Sequence, residues 1–260
     1  MLGVFGGSGL YSFLDGVKKV SVDTPYGAPS APVAVGTIFG QKVAFLPRHG
    51  EHHDFPPHMV NYRANIAAFK EVGVDRILAP CAAGSLSAKV KPGSFVVLDQ
   101  FFDRTSGRKD TFYDGQPVTH VSMAEPYCPE LRKAAVAACK AEKVSVHADG
   151  TVVVIQGPRF SSKAESRFFS RQGFEVINMT QYPEVVLARE QAMCYCGIAL
   201  ITDFDAGLEG HPDVKAVNVS DVMTVFKQNT ENIRRVLKTL IQNAPKRTCS
   251  CSKALDHARL

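Results

Sequence analysis

A chain of 260 residues that is 45% hydrophobic and 21% charged can bury one large core and need not divide into independent domains. Its formal net charge of +5 is scattered among acids, with no basic run interleaved with stacking aromatics, so nucleic acid is a poor fit and a small anionic substrate a better one. No apolar run approaches membrane-spanning length, and no basic or cleavage-like segment precedes the first apolar run. The seven cysteines are an odd number, and Cys81, Cys139, Cys194 and Cys196 lie in apolar stretches that read as core; a cytoplasmic setting is expected.

In chain order, the first predicted strand, Leu2 to Phe5, runs into Gly6-Gly7-Ser8-Gly9. Glycines there let backbone amides approach an oxyanion while the Ser8 hydroxyl donates, although a tight turn accounts for them equally well. The spacing lacks the lysine of a Walker loop and the full dinucleotide fingerprint, so ATPase and dehydrogenase readings fall away. A second strand, Val43 to Leu46, ends in Pro47-Arg48-His49-Gly50, which sets a guanidinium fork beside an imidazole where an anion could be gripped. In the loop from Pro47 to Met59, His49, His52, His53 and His58 do not follow the helical zinc spacing, and no metal is expected there.

A helix over 60–71 and strands over 77–81 and 95–98 lead to a second long polar loop, from Gln100 to Met123. Such loops in a compact domain are more often functional than idle. A helix over 129–142 and a strand over 152–155 precede Gln156-Gly157-Pro158-Arg159-Phe160-Ser161-Ser162. Ser161 or Ser162 is the expected N-cap of a helix over 162–172, with Glu165 as its capping-box partner. Phe160 is left as either core or a stacking surface for a flat ligand. A short strand at 176–177, a helix over 183–193 and a strand over 198–201 lead to Thr202-Asp203-Phe204-Asp205-Ala206-Gly207, and a helix over 219–242 completes a mixed α/β pattern. One domain over 1–243 is expected, followed by a polar tail over 244–260. The tail's Cys249-Ser250-Cys251 could bind metal or form a strained disulfide, but with no second such pair nearby a peripheral tail is the simpler reading.

Asp203 and Asp205 carry the chemistry. They stand where an apolar strand runs out, the place at which α/β proteins bind ligands, and a carboxylic acid shielded from water beside another carboxylate can stay protonated and donate. With no Gly-Xaa-Ser-Xaa-Gly elbow, Ser8 and Cys81 read as binding or packing groups rather than nucleophiles.

Taken together, GGSGL at 6–10, PRHG at 47–50, VNYRANI at 60–66, GSL at 84–86, DQFFDRT at 99–105, MAEPYCP at 123–129, QGPRFSSKAES at 156–166, NMTQYPE at 178–184 and TDFDAG at 202–207 closely resemble the trimeric purine nucleoside phosphorylases, and among them the 5′-methylthioadenosine phosphorylases. The resemblance spans essentially residues 2–243. It implies a single-domain nucleoside phosphorylase-like fold, a mixed twisted sheet flanked by helices, assembled as a homotrimer or a dimer of trimers with active sites near subunit borders. By the same resemblance Ser8, Arg48, His49 and Thr180 would bind phosphate, helped by the backbone around Cys81 and Ala82. Cys81 departs from many relatives, which carry threonine there, and replaces a hydroxyl with a weak thiol donor. Met179 would pack beneath the ribose, Phe160 would lie against the base, and His120 would reach the 5′-substituent site of a neighbouring subunit. Phosphate is a co-substrate and no cofactor is implied.

Phosphorolysis of an N-glycosidic bond requires a gripped phosphate on one face of C1′, stabilisation of an oxocarbenium-like ribosyl group and a proton for the departing purine. Asp203 is the expected donor to N7, with Asp205 supporting it or accepting from the base. A carboxylate accepts from the amino group of adenine but repels the carbonyl of hypoxanthine or guanine, so the pair favours a 6-aminopurine. At the sugar end Val219, Val222 and Met223 form an apolar face suited to a methylthio group, though their spacing is also that of an ordinary core stripe. The expected reaction is 5′-methylthioadenosine plus phosphate giving adenine and 5-methylthio-α-D-ribose 1-phosphate. A broader phosphorylase acting on adenosine, inosine or guanosine, and a nucleoside-binding protein without turnover, are the alternatives.

Overall fold

A computed structural model describes residues 1–6, 15–212, 214 and 219–259, with the backbone alone for residues 15 and 219–223. Strands β1 (Leu2–Gly6), β4 (Gln41–Pro47), β5 (Arg76–Ser85) and β11 (Cys194–Phe204) form the centre of a mixed sheet that has eleven strands among the described residues. These four run parallel: β1 pairs with β4 and β5, and β11 pairs with the whole length of β5. Their apolar residues are buried on both faces, as parallel strands covered on both sides require.

On one flank β2 (Asp15–Val20) and β3 (Val33–Ile38) add antiparallel strands beside β4. On the other, the far end of β5 pairs antiparallel with β10 (Val176–Asn178), which continues through β9 (Thr151–Ile155) to β7 (Gln100–Arg104). Two short strands, β6 (Phe95–Val97) and β8 (Val146–His147), extend the edge beyond β11. The mixed α/β sheet is therefore as expected.

Helices α1 (Tyr62–Glu71) and α4 (Gln181–Glu190) bury Ile66, Phe69, Val185 and Leu187 against one face. The opposite face is covered by α2 (Pro129–Ala141) and α5 (Val219–Gln242), through Leu131, Ala135, Val236 and Leu240. The smaller α3 (Lys163–Arg171) places Phe169 over Leu86, Val153 and Ile177. Its N-cap is Ser162, which accepts from the Glu165 amide while the Glu165 carboxylate accepts from the Ser162 amide, the reciprocal box read from the sequence.

Four local outcomes differ from expectation. The loop expected from Gln100 begins as strand β7, whose Gln-Phe-Phe-Asp-Arg lacks apolar alternation because it lies at the end of the β10–β9–β7 path, with Phe102, Asp103 and Arg104 exposed. The edge strand β2 hid for the same reason, its side chains being mostly polar and exposed. The strand expected at 198–201 starts at Cys194 and continues to Phe204, so Asp203 belongs to the strand and only Asp205 lies past it. Of residues 244–260, read as a peripheral tail, the described part instead packs on the domain: Cys251 and Ala258 are buried, and Ser250–Lys253 form a turn of 3-10 helix.

Candidate active site

The parallel strands β1, β4, β5 and β11 point their C-terminal ends to one side of the sheet, and the residues there enclose a cavity of about 210 Å³. Gly6 ends β1, Arg48 and His49 follow β4, Cys81 and Ala82 lie on β5, and Leu200 and Thr202 lie on β11. Met179 and Thr180, between β10 and α4, close another wall, while Phe226, Asn229, Thr230 and Ile233 project from α5. Six of the site residues read from the sequence, Arg48, His49, Cys81, Ala82, Met179 and Thr180, thus meet around one space. A carboxyl-end crevice of this kind is the ordinary binding place of an α/β sheet.

Arg48 is fully buried and held by a partner that sequence reasoning missed. Its Nε and Nη2 donate to the two carboxylate oxygens of Glu184 at 2.6 and 2.7 Å, and Nη1 donates to the Pro80 carbonyl at 3.2 Å. Burial works against the guanidinium charge, but the adjacent carboxylate more than offsets it and holds the pKa above its ordinary value. The Tyr195 hydroxyl also donates to Glu184, at 2.7 Å. A guanidinium has five N–H bonds; three are engaged in fixing its plane, and two remain for a ligand. The signal was present in the quoted segment NMTQYPE, but a glutamate inside a helix reads as a solvated residue until a tertiary partner is known.

His49 carries the opposite electrostatics. Burial, then the neighbouring Arg48 charge, lower its pKa to about 4, so its imidazole is neutral near pH 7. Nδ1 lies 2.8 Å from the Phe55 carbonyl, which accepts only if that nitrogen carries the proton. The ring stacks on His53 with centroids 4.6 Å apart. Cys81 lines the cavity, yet its thiol donates to the Ile198 carbonyl at 3.8 Å and accepts from the Asn178 and Gln181 amides. Burial pushes that thiol up to about 11, so it is a fixed neutral wall group rather than a nucleophile. Thr180 stands at the N-cap of α4 without a side-chain capping bond, and Ala82 is the exposed position in an otherwise largely buried β5.

A break in the β5–β11 register between Ile201 and Asp203 brings Asp203 opposite Gly84. Such an irregularity re-aims side chains at a strand end, and here it brings Asp203 and Asp205 together over Gly84. Their environments differ. Asp205 is buried, its carboxylate accepts from the Ser161 hydroxyl at 2.5 Å and its amide donates to the Ser85 carbonyl. Asp203 accepts from the Thr202 hydroxyl at 2.5 Å. Burial is the main cause that raises its pKa, opposed by the Thr202 bond and reinforced by Asp205. The arrangement can hold a proton on Asp203 while fixing Asp205 in place. Ser161, expected as a possible cap, serves Asp205 instead.

Other residues named from the sequence lie elsewhere. Phe160 is 79% exposed and does not line the cavity. His120 is exposed on the long loop, where its amide donates to the Ala258 carbonyl. Ser8, and the side chains of Val219, Val222 and Met223, lie outside the described residues.

The model of the phosphorylase superfamily matches residues 2–242. An S-methyl-5′-thioadenosine phosphorylase of Mycolicibacterium smegmatis is 53% identical over 252 residues, covering 96% of this chain and 94% of its own length. The protein of that name from Thermofilum pendens is 50% identical over 260 residues, covering 99% and 97%. Among solved structures, methylthioadenosine phosphorylase from Schistosoma mansoni in complex with tubercidin superimposes with a TM-score of 0.89 at 37% identity, covering 99% of this chain and 98% of that one.

Proposed function

Since this chain belongs to the phosphorylase superfamily, we propose that it cleaves S-methyl-5′-thioadenosine with inorganic phosphate, giving adenine and 5-methylthio-α-D-ribose 1-phosphate. The observation that carries this reading is the pairing of a gripping site and a proton site at one end of the sheet: the Arg48–Glu184 clamp with neutral His49 on one side, and the half-buried Asp203 beside buried Asp205 on the other. The name shared by relatives at 50% identity or more supports the same substrate.

In this mechanism phosphate occupies the space bounded by Arg48, His49 and Thr180. The two remaining Arg48 N–H bonds and the Thr180 hydroxyl donate to its oxygens, and Ser8 joins them. Neutral His49, protonated on Nδ1 by its bond to Phe55, presents Nε2 to a phosphate hydroxyl as an acceptor. A phosphate oxygen then forms the new bond to C1′ as the C1′–N9 bond breaks. The pair of electrons leaves with the purine, and the ribosyl cation that develops is stabilised by the adjacent phosphate charge. Met179, packed beside Gly157, supplies a floor for the ribose.

Burial disfavours the charge of Asp203 and so favours its protonated form, which gives its proton to N7 of the leaving adenine. Asp205, held by Ser161, accepts from the exocyclic amino group, which selects against a 6-oxopurine. The methylthio group lies against the apolar residues of α5, of which Phe226 and Ile233 line the cavity and Val219 and Met223 continue the sequence spacing. No cofactor takes part. The chain works as a homotrimer, or a dimer of such trimers, in which His120 and the exposed Phe160 complete a site at a subunit border. Release of adenine should depend on phosphate and yield one equivalent of the sugar phosphate. Equal release with and without phosphate, or tight nucleoside binding with no release, would refute the assignment.

A further inference from the structure

Far from the cavity, four cysteines from three separated segments converge. Cys128 is the N-cap of α2, Cys194 opens β11, and Cys249 and Cys251 come from the segment after α5. The sequence showed only the last two as a pair, because the other partners lie 121 and 55 residues away from Cys249. In the fold, the four sulfur atoms lie within 4.8 Å of one another. Cys128, Cys194 and Cys251 are buried and Cys249 is partly so.

We propose that Cys128, Cys194, Cys249 and Cys251 form a tetrathiolate site for a single zinc ion, which fastens the C-terminal segment to the sheet. A tetrahedral centre with Zn–S bonds of about 2.3 Å sets its sulfurs about 3.8 Å apart. Here the Cys128–Cys249 separation is 3.7 Å and the Cys194–Cys249 separation 3.3 Å, so the group is already near the size of that coordination shell. Four sulfur donors also match the softer metals rather than calcium or magnesium.

The convergence is selective, since Cys139 and Cys196 are buried in the same apolar cluster but stand outside the group. Binding displaces the four thiol protons, so the filled centre carries a charge of −2. Arg247 supplies a neighbouring cation: it interacts electrostatically with Cys194 and Cys249, and its Nε is buried without a hydrogen-bond partner. The N-terminal end of α2 favours negative charge at Cys128 as well. The segment's other anchors, Arg247 to the Ala192 carbonyl and Thr248 to the Glu130 carboxylate, hold the Cys-Ser-Cys turn in register.

The site is structural rather than catalytic. Asp203 lies nine residue steps along β11 from Cys194, which places them roughly 30 Å apart at a rise of about 3.3 Å per residue. Loss of the ion should therefore loosen the C-terminal segment and leave turnover intact.

The test is elemental analysis of the full-length protein, purified with neither added metal nor chelator, beside mass spectrometry of its cysteines alkylated under non-reducing, denaturing conditions with chelator present. The expected result is about one zinc per chain with all seven cysteines alkylated. Cobalt substitution should add the thiolate-to-cobalt charge-transfer absorption and the intense visible bands of a tetrahedral sulfur site. Cys249→Ser, the most exposed member, should lose the metal and lower the melting temperature with kcat/KM unchanged. A metal-free protein with seven free thiols, or disulfides among the four cysteines, would overturn the proposal whatever the variant does.

Discussion

Replacing Glu184 by Gln isolates what holds Arg48, the residue proposed to grip phosphate. In the parent, two charge-assisted bonds of 2.6 and 2.7 Å join Glu184 to Arg48, and their side chains are 0% and 4% exposed. The amide is almost isosteric, so no cavity opens. Whichever way the amide is turned, its NH2 group faces an Arg48 N–H, a donor against a donor. The guanidinium is left buried with no counter-charge. Removing one partner of a buried pair costs about 3–5 kcal/mol. For a chain of this size that corresponds to a fall in melting temperature of roughly 6–20 °C, at about 2–4 °C per kcal/mol. The assay is urea unfolding and thermal melting of E184Q beside the parent, with phosphate and nucleoside KM measured separately. Expected are a loss of about 3 kcal/mol or more and a rise in phosphate KM that exceeds any rise in nucleoside KM, since the clamp orients the anion site. A variant within about 1 kcal/mol of the parent, with phosphate KM unchanged, would refute the reasoning.

Asp203→Asn should lower kcat by about 10²- to 10⁴-fold with nucleoside KM little altered. Because the folded-state pKa is raised, the native state favours the protonated acid, and stability is lost as pH rises through that value; removing the charge should therefore leave the variant at least as stable as the parent at pH 7, as unfolding measurements would show. His49 has the reverse sense of titration: its folded pKa is lowered to about 4, so between about 6.5 and 4 the unfolded chain binds the extra proton and stability falls as pH falls. Urea unfolding at pH 7.5 and pH 5 should show this dependence in the parent and a smaller one in His49→Gln. Phe160→Ala, at a side chain 79% exposed, should change stability by less than about 0.5 kcal/mol while raising nucleoside KM; an unchanged KM in steady-state kinetics would remove Phe160 from the base site.

Much of the site was legible because it consists of short segments following apolar strands. Arg48 and His49 directly follow β4 and Thr180 stands two residues after β10, so the glycine, arginine and threonine signals marked the carboxyl ends before the sheet order was known. The extent of α5 was read in full because its apolar spacing recurs on both sides of the polar stretch 227–232. What stayed hidden depended on tertiary pairing. Glu184 lies 136 residues from Arg48 and Ser161 lies 44 from Asp205, and nothing local distinguishes either from a surface helix residue or a cap. Strands β2 and β7 carry polar exposed residues and obtain their partners from the sheet rather than from their own pattern. The same distance in sequence concealed the meeting of Cys249 and Cys251 with Cys128 and Cys194.

The most direct test of the account compares kcat/KM for S-methyl-5′-thioadenosine, adenosine, inosine and guanosine under saturating phosphate. A site built around an accepting carboxylate should favour the methylthio nucleoside over inosine and guanosine by on the order of 10²-fold or more, with adenosine between them. Equal or higher efficiency with the 6-oxopurine nucleosides would contradict the assignment of Asp203 and Asp205 to adenine recognition.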